Sequence, residues 1–184
     1  MLFLYLYKIK NTNMYQNRDG VVEMAIRLIV KEPDEVLHKI AKEVKAVTPN
    51  VQKLLDDMAD TMYDAEGVGL AAPQVGILKR LIVVDADEEH GLIKMINPEI
   101  VSTEGEQLGP EGCLSIPGLN GDVRRAETVT VRGLDREGKE ITITGSGLLA
   151  RAFQHEIDHL NGVLFTDIAE KVYEYTAEHS ESEE

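Results

Sequence analysis

Apolar residues recur at helical spacing in two long stretches of the chain and alternate with polar ones in a third. Val51, Leu54, Leu55, Met58 and Met62 lie three or four positions apart, behind Thr48 as an N-cap and Pro49 at the first helical position, with Gly67 as the stop. This predicts an amphipathic helix whose leucine and methionine stripe packs a core. Leu149, Ala152, Phe153 and Leu160 form a second apolar face between Gly147 and Asn161-Gly162. A brief helix is expected at Val36, Leu37 and Ile40 after Pro33-Asp34-Glu35, and a further helical stretch through Val172 and Tyr175. Leu81 to Asp85 and Ile93 to Val101 read as strands. Val129 and Val131, then Ile141 and Ile143, alternate with polar residues across Asp135-Arg136-Glu137-Gly138, the pattern of a hairpin with one buried face. Gly67 to Gly76 reads as a glycine-rich loop. The strands cluster between helices without βαβ alternation, so the expected class is α+β with antiparallel sheet.

At 184 residues the chain is long enough for one domain with a substantial core and short for two. Its 33 acidic against 19 basic side chains leave a net charge of -14, which opposes tight binding to a phosphate backbone or an anionic membrane. No apolar run reaches the length that crosses a bilayer. One cysteine excludes an internal disulfide and fits a reducing compartment. Residues 1–23 open with Met-Leu-Phe-Leu-Tyr-Leu-Tyr but lack the charge order and small-residue end of a secretory signal and the Arg and Ser of a mitochondrial presequence. They are expected to be an extension outside the fold, with an added edge strand as the alternative, and the domain proper to run from Met24 to about residue 170. Residues 171–184 are expected to hold a helix end and an acidic, frayed tail.

Chemistry concentrates in three segments. His155-Glu156-Ile157-Asp158-His159 places two imidazoles four residues apart on one helix face, where both can reach one metal ion while Glu156 reaches a water on it. With 5 His and 33 acidic residues in 184, chance supplies roughly 0.02 such patterns, so a pair of unrelated surface histidines is a poor account. His38, His90 and His179 have no such partner and read as solvated or structural. Two histidines leave a catalytic site one ligand short. Cys113, in Glu111-Gly112-Cys113-Leu114-Ser115-Ile116-Pro117, competes for that place against the alternative of a small buried hydrophobe. Gly67-Val68-Gly69-Leu70-Ala71-Ala72-Pro73-Gln74-Val75-Gly76 has neither the ending of a phosphate loop nor dinucleotide-binding spacing.

Taken together, Gly-x-Gly-Leu-Ala-Ala-x-Gln at Gly67, Glu-Gly-Cys-Leu-Ser at Glu111 and Gln-His-Glu-x-Asp-His at Gln154 closely resemble the three signatures of the peptide deformylases, in order, over about residues 24–170. The resemblance implies a single α+β domain with antiparallel sheets packed around a central metal-binding helix. It implies an enzyme that removes the formyl group from the formylmethionine of nascent bacterial or organellar proteins. Cys113, His155 and His159 would ligate a divalent metal, Fe2+ in many relatives, with Zn2+, Ni2+ or Co2+ as substitutes. Glu156 would move the proton, Gln74 and the Leu114 N–H would stabilise the oxyanion, and Gly69 would pass backbone hydrogen bonds to the peptide. Glu111 and Arg125 would form an ion pair holding the Cys113 loop. The implied partners are N-formylmethionyl nascent peptides and, transiently, the ribosome, without tight nucleic-acid or membrane binding. The implied place is the bacterial cytoplasm, with an organelle as the alternative. Asn120 departs from relatives that carry Arg there, which bears on substrate contacts at that rim. A zinc endopeptidase and a metal-stabilised interaction module are the rival classes.

Overall fold

The computed structural model describes residues 25–175. The expected extension at 1–23, the tail from Thr176 and His179 lie outside the described residues. Within them, α1 (Pro49–Asp64) starts on the Thr48 side chain, which accepts from the Val51 N–H, and α2 (Gly147–Leu160) ends on Asn161. Both follow the sequence pattern. Five antiparallel strands form the main sheet: β1 (Gly69–Ala71), β2 (Leu81–Val84), β3 (Ile93–Glu104), β6 (Thr128–Leu134) and β7 (Glu140–Ser146), in the order β1-β2-β3-β6-β7. A second sheet, β4-β5-β8, is built from β4 (Gln107–Cys113), β5 (Ile116–Arg125) and β8 (Lys171–Glu174).

The two long helices cover opposite faces of the main sheet. Ile82 and Val84 of β2 join Val129, Val131 and the α2 residues Leu149, Phe153 and Leu160 in one core. Leu81 and Val83 join Leu54, Leu55, Met58 and Met62 of α1 in another. All four β2 residues are therefore buried, which explains the unbroken apolar run at Leu81 to Val84. A third cluster, with Leu37, Ile116, Val123, Leu164 and Phe165, seats the smaller sheet.

Three expectations need correction. Lys171–Glu174 is a strand, not a helix, because the single helical turn α3 (Phe165–Ile168) ends at Ala169 in extended geometry and the chain then pairs along β5, Asp122 with Lys171 and Leu119 with Glu174. The glycine-rich loop contains β1 and a 3-10 turn over Ala72–Val75. Gln107 to Arg125, where no strand was expected, forms the β4-β5 hairpin; five glycines and prolines in its first twelve residues break the alternation that signals a strand.

The segment before the 3-10 turn at Glu35–His38 acts as a strap. Val30 N–H donates to Gln74 O (2.8 Å), Glu32 N–H to Ser115 O (3.0 Å), and the Lys31 ammonium to Leu114 O. Arg27 anchors its start on buried Asp57 (2.8 Å) and on the Thr61 hydroxyl. The sequence reads residues 1–23 as an extension outside the fold, so deleting them is expected to leave the melting temperature unchanged. Deleting through Glu32 removes the strap and its anchor. At about 1 kcal/mol per hydrogen bond, that deletion is expected to lower the melting temperature by roughly 5 °C or more. Thermal melts of the two truncations check this.

Candidate metal centre

Each segment singled out in the sequence arrives from a different element. α2 carries His155, Glu156 and His159, β4 ends at Cys113, and β1 with its following turn carries Gly69 and Gln74. The Cys113 thiol and one ring nitrogen from each of His155 and His159 all lie within 4.8 Å of one another. His159 is fully buried, with Nε2 3.3 Å from Cys113 Sγ, and the two imidazole rings meet edge to face with centroids 4.9 Å apart. Four-residue spacing on a straight helix produces this convergence. His38 instead contacts Glu32 and His90 contacts Asp87, both away from the centre.

The loop residues close around the thiol. Gln74 Oε1 accepts from the Ala71 N–H (2.8 Å), which fixes its amide so that Nε2 faces Cys113 Sγ (3.5 Å) and Ser115 Oγ (3.2 Å). Gly69 packs so tightly against Glu156 that a Cβ there would overlap its carboxylate. This is the reason for a glycine at that point of β1. Glu156 is buried, and its Oε2 has no hydrogen-bond partner. Asn120 lies opposite Gly112 across the β4-β5 hairpin and opposite Tyr173 of β8.

Charge follows burial and neighbours. Burial alone pushes the Cys113 thiol up, but the charge of His159 and the hydrogen bonds of both imidazoles outweigh it and hold the thiol well below its ordinary range. Burial opposes a proton on His155, yet hydrogen bonds to Cys113 and Glu111 raise it well above the usual imidazole value. Each of the two groups thus favours the charged form of the other. Burial raises the Glu156 carboxyl to about 7 against the pull of His155 and His159.

Behind the centre sits Glu111, which the sequence paired with Arg125. The pair is buried, not exposed: Arg125 Nε and Nη2 reach the two carboxylate oxygens at 2.8 and 3.0 Å. Glu111 Oε2 also meets His155 Nδ1 at 2.9 Å, leaving His155 Nε2 as the nitrogen available at the centre. Arg125 Nη1 continues to Asp158. Gln154 accepts from Ala126 N–H and donates to Ala126 O, tying α2 to the start of β6. Sequence reasoning gave no role to Gln154, Asp158, Ser115 or Arg151. The spacing of Arg151, one turn before His155, was the available signal.

The donor set fits a divalent metal ion. One thiolate and two imidazoles are a borderline-soft set, His155 is oriented by a carboxylate on its outer nitrogen as ligating histidines are, and three protein ligands leave a position open. Glu156, next to His155 on α2 and within electrostatic reach of all three donors, keeps one oxygen without a partner.

Comparison with known proteins gives a consistent result. The sequence model of the family described as Polypeptide deformylase matches residues 26–174. A peptide deformylase of Carboxydothermus hydrogenoformans is 58% identical over 149 residues, covering 81% of this chain and 97% of its own. The structure is similar to a peptide deformylase from Legionella pneumophila, with a TM-score of 0.75 and 56% identity over 78% of this chain and 86% of that one. It is also similar to the Met-Ala-Ser-bound class I type b peptide deformylase from Acinetobacter baumannii, with a TM-score of 0.74 and 38% identity over 79% of this chain and 99% of that one.

Cys113→Ser replaces the thiolate by a much poorer ligand of nearly the same shape. The variant is expected to fold and to bind Zn2+ about tenfold or more weakly than the parent, as measured by chelator competition. A Cys113 that only packs the core would leave zinc affinity unchanged.

Proposed function

The chain belongs to the polypeptide deformylase family and removes the formyl group from the N-terminal formylmethionine of nascent polypeptides, and on that premise we propose how its residues divide the work. Cys113, His155 and His159 hold one divalent ion, Fe2+ in this reading, with Zn2+, Ni2+ or Co2+ able to take its place. When bound, the ion supplies a Lewis acid that makes a water molecule acidic enough to lose a proton near neutral pH. Glu156 would accept that proton on its free Oε2 as the water oxygen bonds to the formyl carbon, and return it to the amine nitrogen as the formyl C–N bond breaks, so that formate and a free N-terminus leave. The observation that carries this reading is the convergence of three donor atoms, with the buried carboxyl of Glu156 in electrostatic reach of them and one of its oxygens unpartnered.

The remaining residues orient the substrate. Gln74, its amide fixed by the Ala71 N–H, and the Leu114 N–H donate to the oxygen of the formyl carbonyl as it gains charge. β1 is the edge of the main sheet, so Gly69 offers free backbone groups to an extended peptide. The peptide arrives on or near the ribosome, and the net charge of -14 keeps any contact with its RNA transient. We place the protein in the bacterial cytoplasm. Among the described residues no helix is long and apolar enough to cross a membrane.

Release of formate from formyl-Met-Ala-Ser tests the proposal. Formate release that depends on the formyl group and on added Fe2+ supports it, whereas cleavage of internal peptide bonds without formate overturns it. Glu156→Gln keeps size and helix propensity while removing the proton acceptor. Metal content is expected to persist while turnover per bound ion falls by about 10² to 10⁴. Near-parental turnover per ion would show that Glu156 only braces the helix. Ferrous enzyme, with Cys113 on the metal, is expected to lose deformylation activity in air while the zinc form decays more slowly, followed as residual formate release.

A further inference from the structure

Arg151 is buried, lies on α2 one turn before His155, and contacts none of the three metal-ligating side chains in the hydrogen bonds of the structure. Its Nη1 faces Glu111 Oε1 (2.8 Å), Val123 O (3.0 Å) and Gly109 O (3.3 Å), and its Nη2 faces Gln107 Oε1 (3.2 Å). Gln107 in turn donates to Gly147 O (2.9 Å) and Ala126 O (3.1 Å). The guanidinium thus spans β4, β5 and the first turn of α2. Gly109 provides the space, since a Cβ there would sit 3.2 Å from Nη2.

The carboxylate at the centre of this arrangement is Glu111, whose two oxygens are shared among Arg125, Arg151 and His155. Arg125 grips both oxygens from β5, and Arg151 holds Oε1 from α2, the helix that also carries His155. Without Arg151, Oε1 loses its direct bond from α2 and keeps only that of Arg125 on β5, so the acceptor of His155 Nδ1 is set by the small sheet rather than by the helix that carries the ring. We propose that Arg151 is a positioning residue: through Glu111 it fixes the ring of His155 and so sets the affinity and ligand geometry of the metal centre. The inference rests on the reading of His155 as a ligand.

Arg's forked donors are the operative feature, since a lysine ammonium at this length cannot reach Gln107 and Glu111 together. The test uses Co2+ alone as the probe, added to metal-free parent, Arg151→Met and Arg151→Lys. Affinity is read by chelator competition, and ligand geometry by the cobalt d–d and thiolate charge-transfer bands. A circular dichroism melt of each metal-free protein separates stability from site geometry. Arg151→Met is expected to raise the Co2+ dissociation constant by roughly 10- to 100-fold and to displace the d–d bands while the thiolate band remains. If Arg151→Met does not fold, Arg151→Lys carries the test, with a rise of roughly threefold or more and displaced bands expected. A folded variant with a lower melting temperature but parental affinity and bands makes Arg151 a purely structural residue and overturns the proposal. A parent chain that binds no Co2+ overturns the metal reading itself, and this inference with it.

Discussion

One carboxylate buried among cations holds the site together. Glu111 is only 2% exposed, beside Arg125 and Arg151 at 8% and 6%, and removing one partner from such a group typically costs about 3–5 kcal/mol because an uncompensated charge is left in the interior. The cluster draws on three elements: β4 carries Glu111, β5 carries Arg125, and α2 carries Arg151 and His155. The ionic cluster therefore fixes the small sheet to the helix at the point where Cys113 must meet the imidazoles. Apolar replacements could hold these elements as firmly, since buried ion pairs seldom outperform well-packed hydrophobic groups. An apolar cluster, however, would give His155 Nδ1 no acceptor.

The helices and the core were legible because their periodicity is dictated by burial alone. α1 follows its Leu and Met stripe from Thr48 onward, and α2 begins and ends at the glycine and Asn-Gly signals in its sequence. The donor residues were legible for a related reason, as metal chemistry restricts both residue type and spacing on a helix. The β4-β5 hairpin was not legible. Its stability comes from the ladder to β8 and the charged layer beneath Glu111, and these partners are distant in sequence. β8 escaped for the same reason: Val172 and Tyr175 suit helix or strand, and the open edge of β5 decides between them. The buried state of the Glu111–Arg125 pair also depends on tertiary covering that neither residue signals by itself.

Rigidity is distributed unevenly around the centre. The ligands stand on α2 and on the end of a paired strand, backed by cores on both faces of the main sheet. The groups proposed to meet the substrate stand on shorter supports: Gln74 on a single 3-10 turn and Leu114 in the turn after β4. Their positions are set by local hydrogen bonds instead, Ala71 N–H to Gln74 Oε1 and the strap to Gln74 O and Leu114 O.

Those two supports share a splint, the strap from Arg27 to Glu32, which bonds to Gln74 on one side and Ser115 on the other. The splint has no fully buried side chain and contributes little to either main core. Segments of that kind open at a far smaller free-energy cost than the global transition. Heating should therefore inactivate the enzyme in two stages. The proposed oxyanion donors would drift apart while sheets, helices and the Cys113, His155 and His159 side chains stay in place, so activity would fail below the melting point and return on cooling.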